Sequence, residues 1–333
     1  MKNIKFLINL TSLLLCITLF AVGCKSEKSV SSESETTSSA PMVSSNEVQS
    51  SEDNKSDYDD LLGTMSVSGK QLIAYGDLRE DEYSAALSEL ETVLSGYTRN
   101  ISFAAYTLDN RKAVGYNTDA EIFCACTVKA AYSYYCCLQM DKGNGSLETQ
   151  MTYEQKHYES GTGDMQYSPY GTVFDMSTII TKSMGISDNV GYLMQVDFFG
   201  RDGYNAWISS LGCDSLQIKP TVWSLKANAR DHLVIWREIY NYFLSDAPHS
   251  EFLYNTCTGT AGNFATAALS GVEYSHKQGH NRSGEWTSYS DAGIVWNGNT
   301  PYIIAIITDA PGPSSYDADI FAQISTIVNN KLF

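Results

Sequence analysis

Along the chain from about residue 80, apolar and polar positions repeat with two different periods, and the changes of period mark out the elements. Tyr83 to Tyr97 places Ala85, Leu87, Leu90, Val93 and Leu94 at helical spacing, which predicts an amphipathic helix. Ile101 to Thr107 reads as a strand, Asp109-Asn110-Arg111 as a turn, and Ala113 to Tyr116 as the returning partner strand. An apolar run opening at Thr127 predicts a helix to about residue 142, stopped by Gly143-Asn144-Gly145. From about 145 to 270, helical stretches alternate with polar loops, and Ala229 to Leu244 is the clearest helix. Strand signals return near the end, at Glu273 to Gly279, Ser288 to Trp296 and Pro301 to Thr308. Asn297-Gly298-Asn299 joins the last two as a tight hairpin. An apolar-periodic helix, Asp317 to Leu332, closes the chain.

This order predicts an α+β fold. A five-stranded antiparallel sheet would carry the N- and C-terminal helices on one side, with an all-helical lobe inserted between its second and third strands. The sheet lobe spans about 76–118 and 272–333, and the helical lobe about 119–271. A cleft between two such lobes is a usual place for a site. No internal repeat is visible.

The first 75 residues have a different character. Lys2 and Lys5 precede an apolar run from Phe6 to Val22, the form of an export signal covering residues 1–23. Ala21-Val22-Gly23-Cys24 resembles the lipobox of bacterial lipoproteins, which implies lipidation of Cys24 and a position on the outer face of the bacterial cell membrane. Residues 24–75 are then expected to be a Ser-rich tether, because most of that stretch has too few large apolar side chains to offset the entropy of ordering.

Composition and charge narrow the function. The apolar fraction of 43% suits a sizeable core, and the formal charge of −16 argues against nucleic acid, which requires a clustered basic face. The five histidines are scattered without metal-ligand spacing, so no metal or other cofactor is expected. The 22 tyrosines read most simply as core and rim packing. Eight cysteines become six once Cys16 leaves with the signal and Cys24 is acylated. Cys126 and Cys136 would lie about 15 Å apart along one helix, too far to bond. Whether Cys213 and Cys257 pair is left open. The chain is expected to be a monomer.

Chemistry concentrates at Cys126-Thr127-Val128-Lys129. On a helix starting near Thr127, Cys126 and Lys129 share a face one turn apart. The ammonium and the positive end of the helix dipole both favour thiolate over thiol. A buried small cysteine beside an ordinary surface lysine would carry the same letters, and two later triplets change that balance. Ser187-Asp188-Asn189 falls in the insert, and Lys277-Gln278-Gly279 falls on the first late strand, ahead of Asp291-Ala292-Gly293. Each triplet is common alone; their order and context are not.

Together these motifs resemble the penicillin-recognising serine hydrolases, and most closely the class A β-lactamase fold, whose pattern is S-x-x-K, S-D-N and K-T-G. The resemblance covers about residues 80–333. It implies Cys126 as the acylated nucleophile, Lys129 as its general base and Ser187 as the proton relay to the leaving nitrogen. It implies Asn189 as a binder of the substrate's side-chain amide, and Lys277 as holder of its carboxylate. Gln278 and Gly279 would form the strand edge along which substrate lies, and the backbone N–H groups of Cys126 and His280 the oxyanion hole.

Three departures qualify this. The nucleophile is cysteine, and no S-x-x-K exists elsewhere in the chain. Gln278 replaces a threonine. No Glu-x-x-Leu-Asn lies between Ser187 and Lys277, and where the family carries its water-activating glutamate the chain reads Lys219-Pro220-Thr221-Val222-Trp223-Ser224. The nearest match, Glu251 to Asn255, falls after the Ala229 to Leu244 helix rather than before it. The sequence therefore points to a β-lactamase-like hydrolase or acyl-transfer enzyme, poor at deacylation, acting on β-lactams or peptidoglycan peptides. Two alternatives stand beside it: a catalytically inactive peptidoglycan- or partner-binding pseudoenzyme, and a cysteine-dependent transpeptidase or peptidase.

Overall fold

The computed structural model describes residues 61 to 333 except 221–225, 283, 285 and 299. The expected signal peptide, Cys24 and the tether up to residue 60 lie outside the described residues. So do Thr221, Val222, Trp223 and Ser224 of the loop that lacks an acid, and Asn299 of the last hairpin.

Six strands form one antiparallel sheet: β1 (Leu72–Gly76), β2 (Ile101–Thr107), β3 (Lys112–Tyr116), β4 (Glu273–Asn281), β5 (Ser288–Trp296) and β6 (Tyr302–Thr308). Their order is β1-β3-β2-β6-β5-β4. The helices are α1 (Ser84–Gly96), α2 (Val128–Asp141), α3 (Met176–Gly185), α4 (Asn189–Phe199), α5 (Arg201–Ser210), α6 (Ala229–Phe243), α7 (Ser250–Thr258) and α8 (Ser315–Ile327). Of these, α2 to α7 fall in the insert between β3 and β4, which is not all-helical as expected, since Gln150–Thr152 pairs with Val173–Asp175 and Ile122–Phe123 with Lys226–Ala227.

The sheet has six strands rather than the five expected, and ordered structure begins before residue 76. Leu72 pairs with Tyr116 and Gly76 with Lys112, so β1 adds an edge strand to β3. Ahead of it, Leu62, Met65 and Val67 are buried. The apolar run Leu72-Ile73-Ala74-Tyr75 is short and borders a serine-rich segment, so composition hid it. Pairing with β3 supplies its backbone groups with the partners that a tether would have left to water.

Each face of the sheet buries its own core. On β6, Ile304 and Ile306 join Leu90, Leu94, Phe321 and Ile324 of α1 and α8. Ile303, Ala305 and Ile307, on the other face, join the helical lobe. This is period-two alternation with both faces covered, which is why β2 and β6 are buried at every residue. The two terminal helices share one side of the sheet, as the pattern predicts.

Helix α2 runs through the lobe and is buried on nearly every side. Its Tyr132, Tyr134 and Tyr135 pack on Tyr192, Tyr204, Trp207 and Tyr242, with Tyr132 and Tyr204 ring centroids 4.9 Å apart. Cys136, Cys137, Cys213 and Cys257 are buried free thiols, so Cys213 and Cys257 do not pair.

Candidate active site

The nucleophile candidate does not lie inside α2. Cys126 occupies a single 3₁₀ turn, Ala125–Thr127, that leads into the helix. Two contacts set the position of this turn. Ile122 and Phe123, just before it, pair with Ala227 and Lys226. Behind it runs β4, and the close approach requires Gly279: a Cβ there would overlap the Cys124 carbonyl oxygen and lie 2.9 Å from the Cys126 amide nitrogen. Ala125 takes φ 48°, a left-handed conformation that a non-glycine residue adopts only when its surroundings over-determine it.

Lys129, one turn into the helix, is fully buried. Its Nζ donates to the Ser187 carbonyl oxygen at 2.6 Å, to Asn189 Oδ1 at 2.9 Å and to the Asp188 carbonyl oxygen at 3.3 Å. Three donated bonds are what an ammonium has; a neutral amine has two N–H groups. Burial pulls the Lys129 ammonium below the ordinary lysine range, while the Cys126 sulfur and Asp188 pull it back. At Cys126 burial disfavours the thiolate, but Lys129, Lys277 and the Ser187 hydroxyl together outweigh it and hold the thiol below the usual cysteine range. Neighbouring Cys124 feels mainly the burial and is pushed up to about 11. The two thiols of the turn are thus shifted in opposite directions, Cys126 down and Cys124 up.

Ser187-Asp188-Asn189 forms the opposite wall. Ser187 takes φ 60°, and Asp188 caps α4, its Oδ1 accepting from the Gly191 amide at 2.9 Å. Ser187 Oγ is buried without a well-formed hydrogen bond, yet lies close enough to the sulfur to favour a thiolate. Asn189 is already engaged: besides Lys129, it donates through Nδ2 to the Ser160 carbonyl oxygen at 3.1 Å. Lys277 is fully buried and donates to the Gln278 carbonyl oxygen at 2.8 Å and to Gln278 Oε1 at 3.2 Å. Burial lowers it to about 7, against the pull of Cys126. Gln278 Nε2 in turn donates to the Ala261 carbonyl oxygen at 2.9 Å.

These groups surround a cavity of about 450 Å³. Cys126, Lys129, Asn189 and His280 line it directly, whereas Ser187, Lys277, Gln278 and Gly279 are not among its lining residues. His280 accepts a hydrogen bond at Nε2 from Arg282 Nε at 3.1 Å.

Several lining residues escaped the sequence reading: Glu159, Ser160 and Thr162 on one side, Tyr192, and Arg282 on the other. Glu159 is the acid among the described lining residues, and it is half-buried. In the sequence, this loop carries no sign beyond the glycines Gly161 and Gly163, which are common in loops of any kind. Gly163 takes φ 96° where any side chain would collide with Asp188. That contact brings the loop onto the Ser187 to Asn189 wall.

Residues 85–332 match the model of the Beta-lactamase enzyme family. Among solved structures, "Structure of PBP-A" is 19% identical with a TM-score of 0.66, covering 74% of this chain and 95% of that one. A β-lactamase from Chitinophaga pinensis DSM 2588 is 18% identical, TM-score 0.66, covering 74% and 99% respectively. The TLA-3 extended-spectrum β-lactamase is also 18% identical at TM-score 0.66, covering 74% and 98%. At these identities the structural likenesses speak for the fold. No curated protein sequence matches the chain.

Proposed function

Because the chain belongs to the beta-lactamase enzyme family, we propose that it is an acyl-transfer enzyme that opens β-lactams or cell-wall peptides through a thioester on Cys126. The observation that supports this most is the sulfur on a cavity wall, with Lys129 and Lys277 buried close enough to favour its thiolate. The thiolate attacks the substrate carbonyl carbon, and the Cys126 and His280 amides receive the negative oxygen. The C–N bond then breaks, and the nitrogen takes a proton from the Ser187 hydroxyl. Lys129, no longer facing a thiolate, replaces that proton. A solved complex of a PBP-A mutant is an acyl-enzyme with penicillin G, which is the kind of adduct this reading expects.

Intact-protein mass after incubation with penicillin- and cephalosporin-type compounds tests the proposal. One adduct, absent from Cys126→Ala, is the expected result. Saturable binding of peptidoglycan fragments with no adduct would favour the pseudoenzyme, a reading to which the serine-to-cysteine change and Gln278 lend support.

Lys277 is expected to make the site sensitive to pH. Its ammonium, lowered to about 7, is the group proposed to hold the substrate carboxylate. Protonated below that value and neutral above it, Lys277 should bind anionic substrates progressively less well as pH rises through about 7. KM should climb across that range for a carboxylate-bearing substrate and stay level for its methyl ester. Parallel profiles would remove Lys277 from carboxylate binding.

We also propose that the protein is exported and held to the membrane by lipid on Cys24, on the strength of Ala21-Val22-Gly23-Cys24. Cys24→Ala should lose metabolic lipid labelling and leave the membrane fraction; retained label would refute the anchor.

A further inference from the structure

His232 lies on α6, 105 residues beyond Thr127, and neither is among the residues lining the cavity. We propose that the two form a positioning pair, in which the imidazole fixes the turn that presents the Cys126 sulfur. The inference rests on the reading of Cys126 as nucleophile.

The geometry assigns the proton. His232 Nδ1 lies 2.9 Å from the Asn228 carbonyl oxygen, which can only accept, so Nδ1 carries the hydrogen. The imidazole is 2% exposed, and burial lowers it to about 4, so the ring is neutral and Nε2 is bare. Thr127 Oγ1 lies 2.9 Å from Nε2 and 3.1 Å from the Cys124 carbonyl oxygen. One hydroxyl proton cannot serve both. Nε2 has no other donor among the described contacts, whereas a carbonyl oxygen left without that bond keeps the Thr127 amide at 3.3 Å. The hydroxyl therefore donates to His232.

The consequence is a turn held at both ends by one short stretch of chain. Before the turn, Ile122 and Phe123 pair with Ala227 and Lys226. After it, Thr127 is bound to His232, whose own partner Asn228 caps α6 through the Asp231 amide at 2.8 Å. Residues 226 to 232 thus grip the cysteine turn on either side. The Thr127 methyl points the other way, toward β4 at Gly279. Loss of the hydroxyl would free the turn to rotate and move the sulfur relative to Lys129, even with the methyl still packed.

Four variants of the full chain test this: Thr127→Val, Thr127→Ser, His232→Leu and the double variant Thr127→Val/His232→Leu. The readout is the pH profile of Cys126 alkylation by iodoacetamide, followed by intact mass and peptide mapping. Thr127→Val should alkylate roughly tenfold more slowly, within the roughly 10²-fold cost of a 1 Å misplacement, with its profile displaced toward that of an ordinary thiol. Thr127→Ser, which keeps the hydroxyl, should restore rate and profile. The double variant should be no slower than Thr127→Val alone, since both changes remove one interaction. If Thr127→Val does not fold, His232→Leu alone should show the same slowing. A folded Thr127→Val or His232→Leu with the wild-type profile, or a serine variant as slow as valine, would overturn the pair. A wild-type Cys126 that titrates as an ordinary thiol would instead overturn the nucleophile reading on which the pair depends.

Discussion

Lys129→Met is expected to slow acylation of Cys126 by about 10²- to 10⁴-fold, the range for loss of a positioned acid–base group. Two effects act in the same direction. The variant removes the cation that most favours the thiolate, leaving burial, the largest influence on this sulfur, less opposed. It also strips the Ser187 carbonyl, the Asp188 carbonyl and Asn189 Oδ1 of the donor that ties them together. The Ser187 carbonyl keeps Thr162 Oγ1 at 2.6 Å and the Asp188 carbonyl keeps the Tyr192 amide at 3.2 Å, which leaves Asn189 Oδ1 as the acceptor that loses most, at about 1–3 kcal/mol, so a modest fall in melting temperature should accompany the kinetic loss. The pH profile separates the two effects. In the wild type the acid limb of acylation should lie below the about 8.5 of a free thiol, because the folded protein holds the thiol down. In Lys129→Met that limb should move to higher pH, whereas a loss of stability alone would lower the amplitude and leave the limb in place. Acylation of the methionine variant at the wild-type rate would remove Lys129 from the mechanism.

The second large effect concerns the fate of the acyl-enzyme. Hydrolysis of the thioester requires an activated water, and the loop between α5 and α6 offers no free acid among its described residues. Asp214 there accepts from Ser209 Oγ at 2.6 Å and from Gln217 Nε2 at 2.9 Å, and Asp231, at the start of α6, is buried and held by Ser215 Oγ at 2.6 Å. Stopped-flow with a chromogenic cephalosporin should therefore show a burst of about one equivalent and then slow turnover. Cys126→Ser should still acylate without becoming an efficient β-lactamase, because it changes the nucleophile and not the base. Amine acceptors should shorten the life of the adduct more than water does, since thioesters react readily with amines. Glu159, the acid on the cavity wall, supplies the counter-test. If wild type turns over rapidly without a burst and Glu159→Gln restores one, Glu159 is the base and the slow-deacylation expectation is wrong.

Much of the site could be read from letters because its parts are local. Cys126 and Lys129 sit one helical turn apart, Ser187-Asp188-Asn189 caps a helix, and Lys277 to Gly279 lies on a strand whose alternation is plain. Periodicity likewise predicted β2 and β5 to the residue, and β3, β4, β6, α1, α2 and α6 to within a residue or two, since a period of 2 or 3.6 is written into neighbouring positions; the other helices of the insert were not placed one by one. Where the reading failed, the cause was also physical. β1 is five residues long and gains its stability from pairing with β3, which its own composition does not record.

The order of elements, sulfur rather than oxygen as the candidate nucleophile, and the want of the family's acidic loop motif were all written in the chain itself. The letters also singled out Cys126 through Lys129, but the further pull of Lys277 and Ser187 on its sulfur, and the burial that raises Cys124, come from the fold. Folding also supplies the partners of Lys129, oxygens 58 to 60 residues away, and the partner of Thr127, 105 residues away. Hydrogen bonds and charges act over a few ångströms of space, and at those separations along the chain only the fold brings the groups within reach.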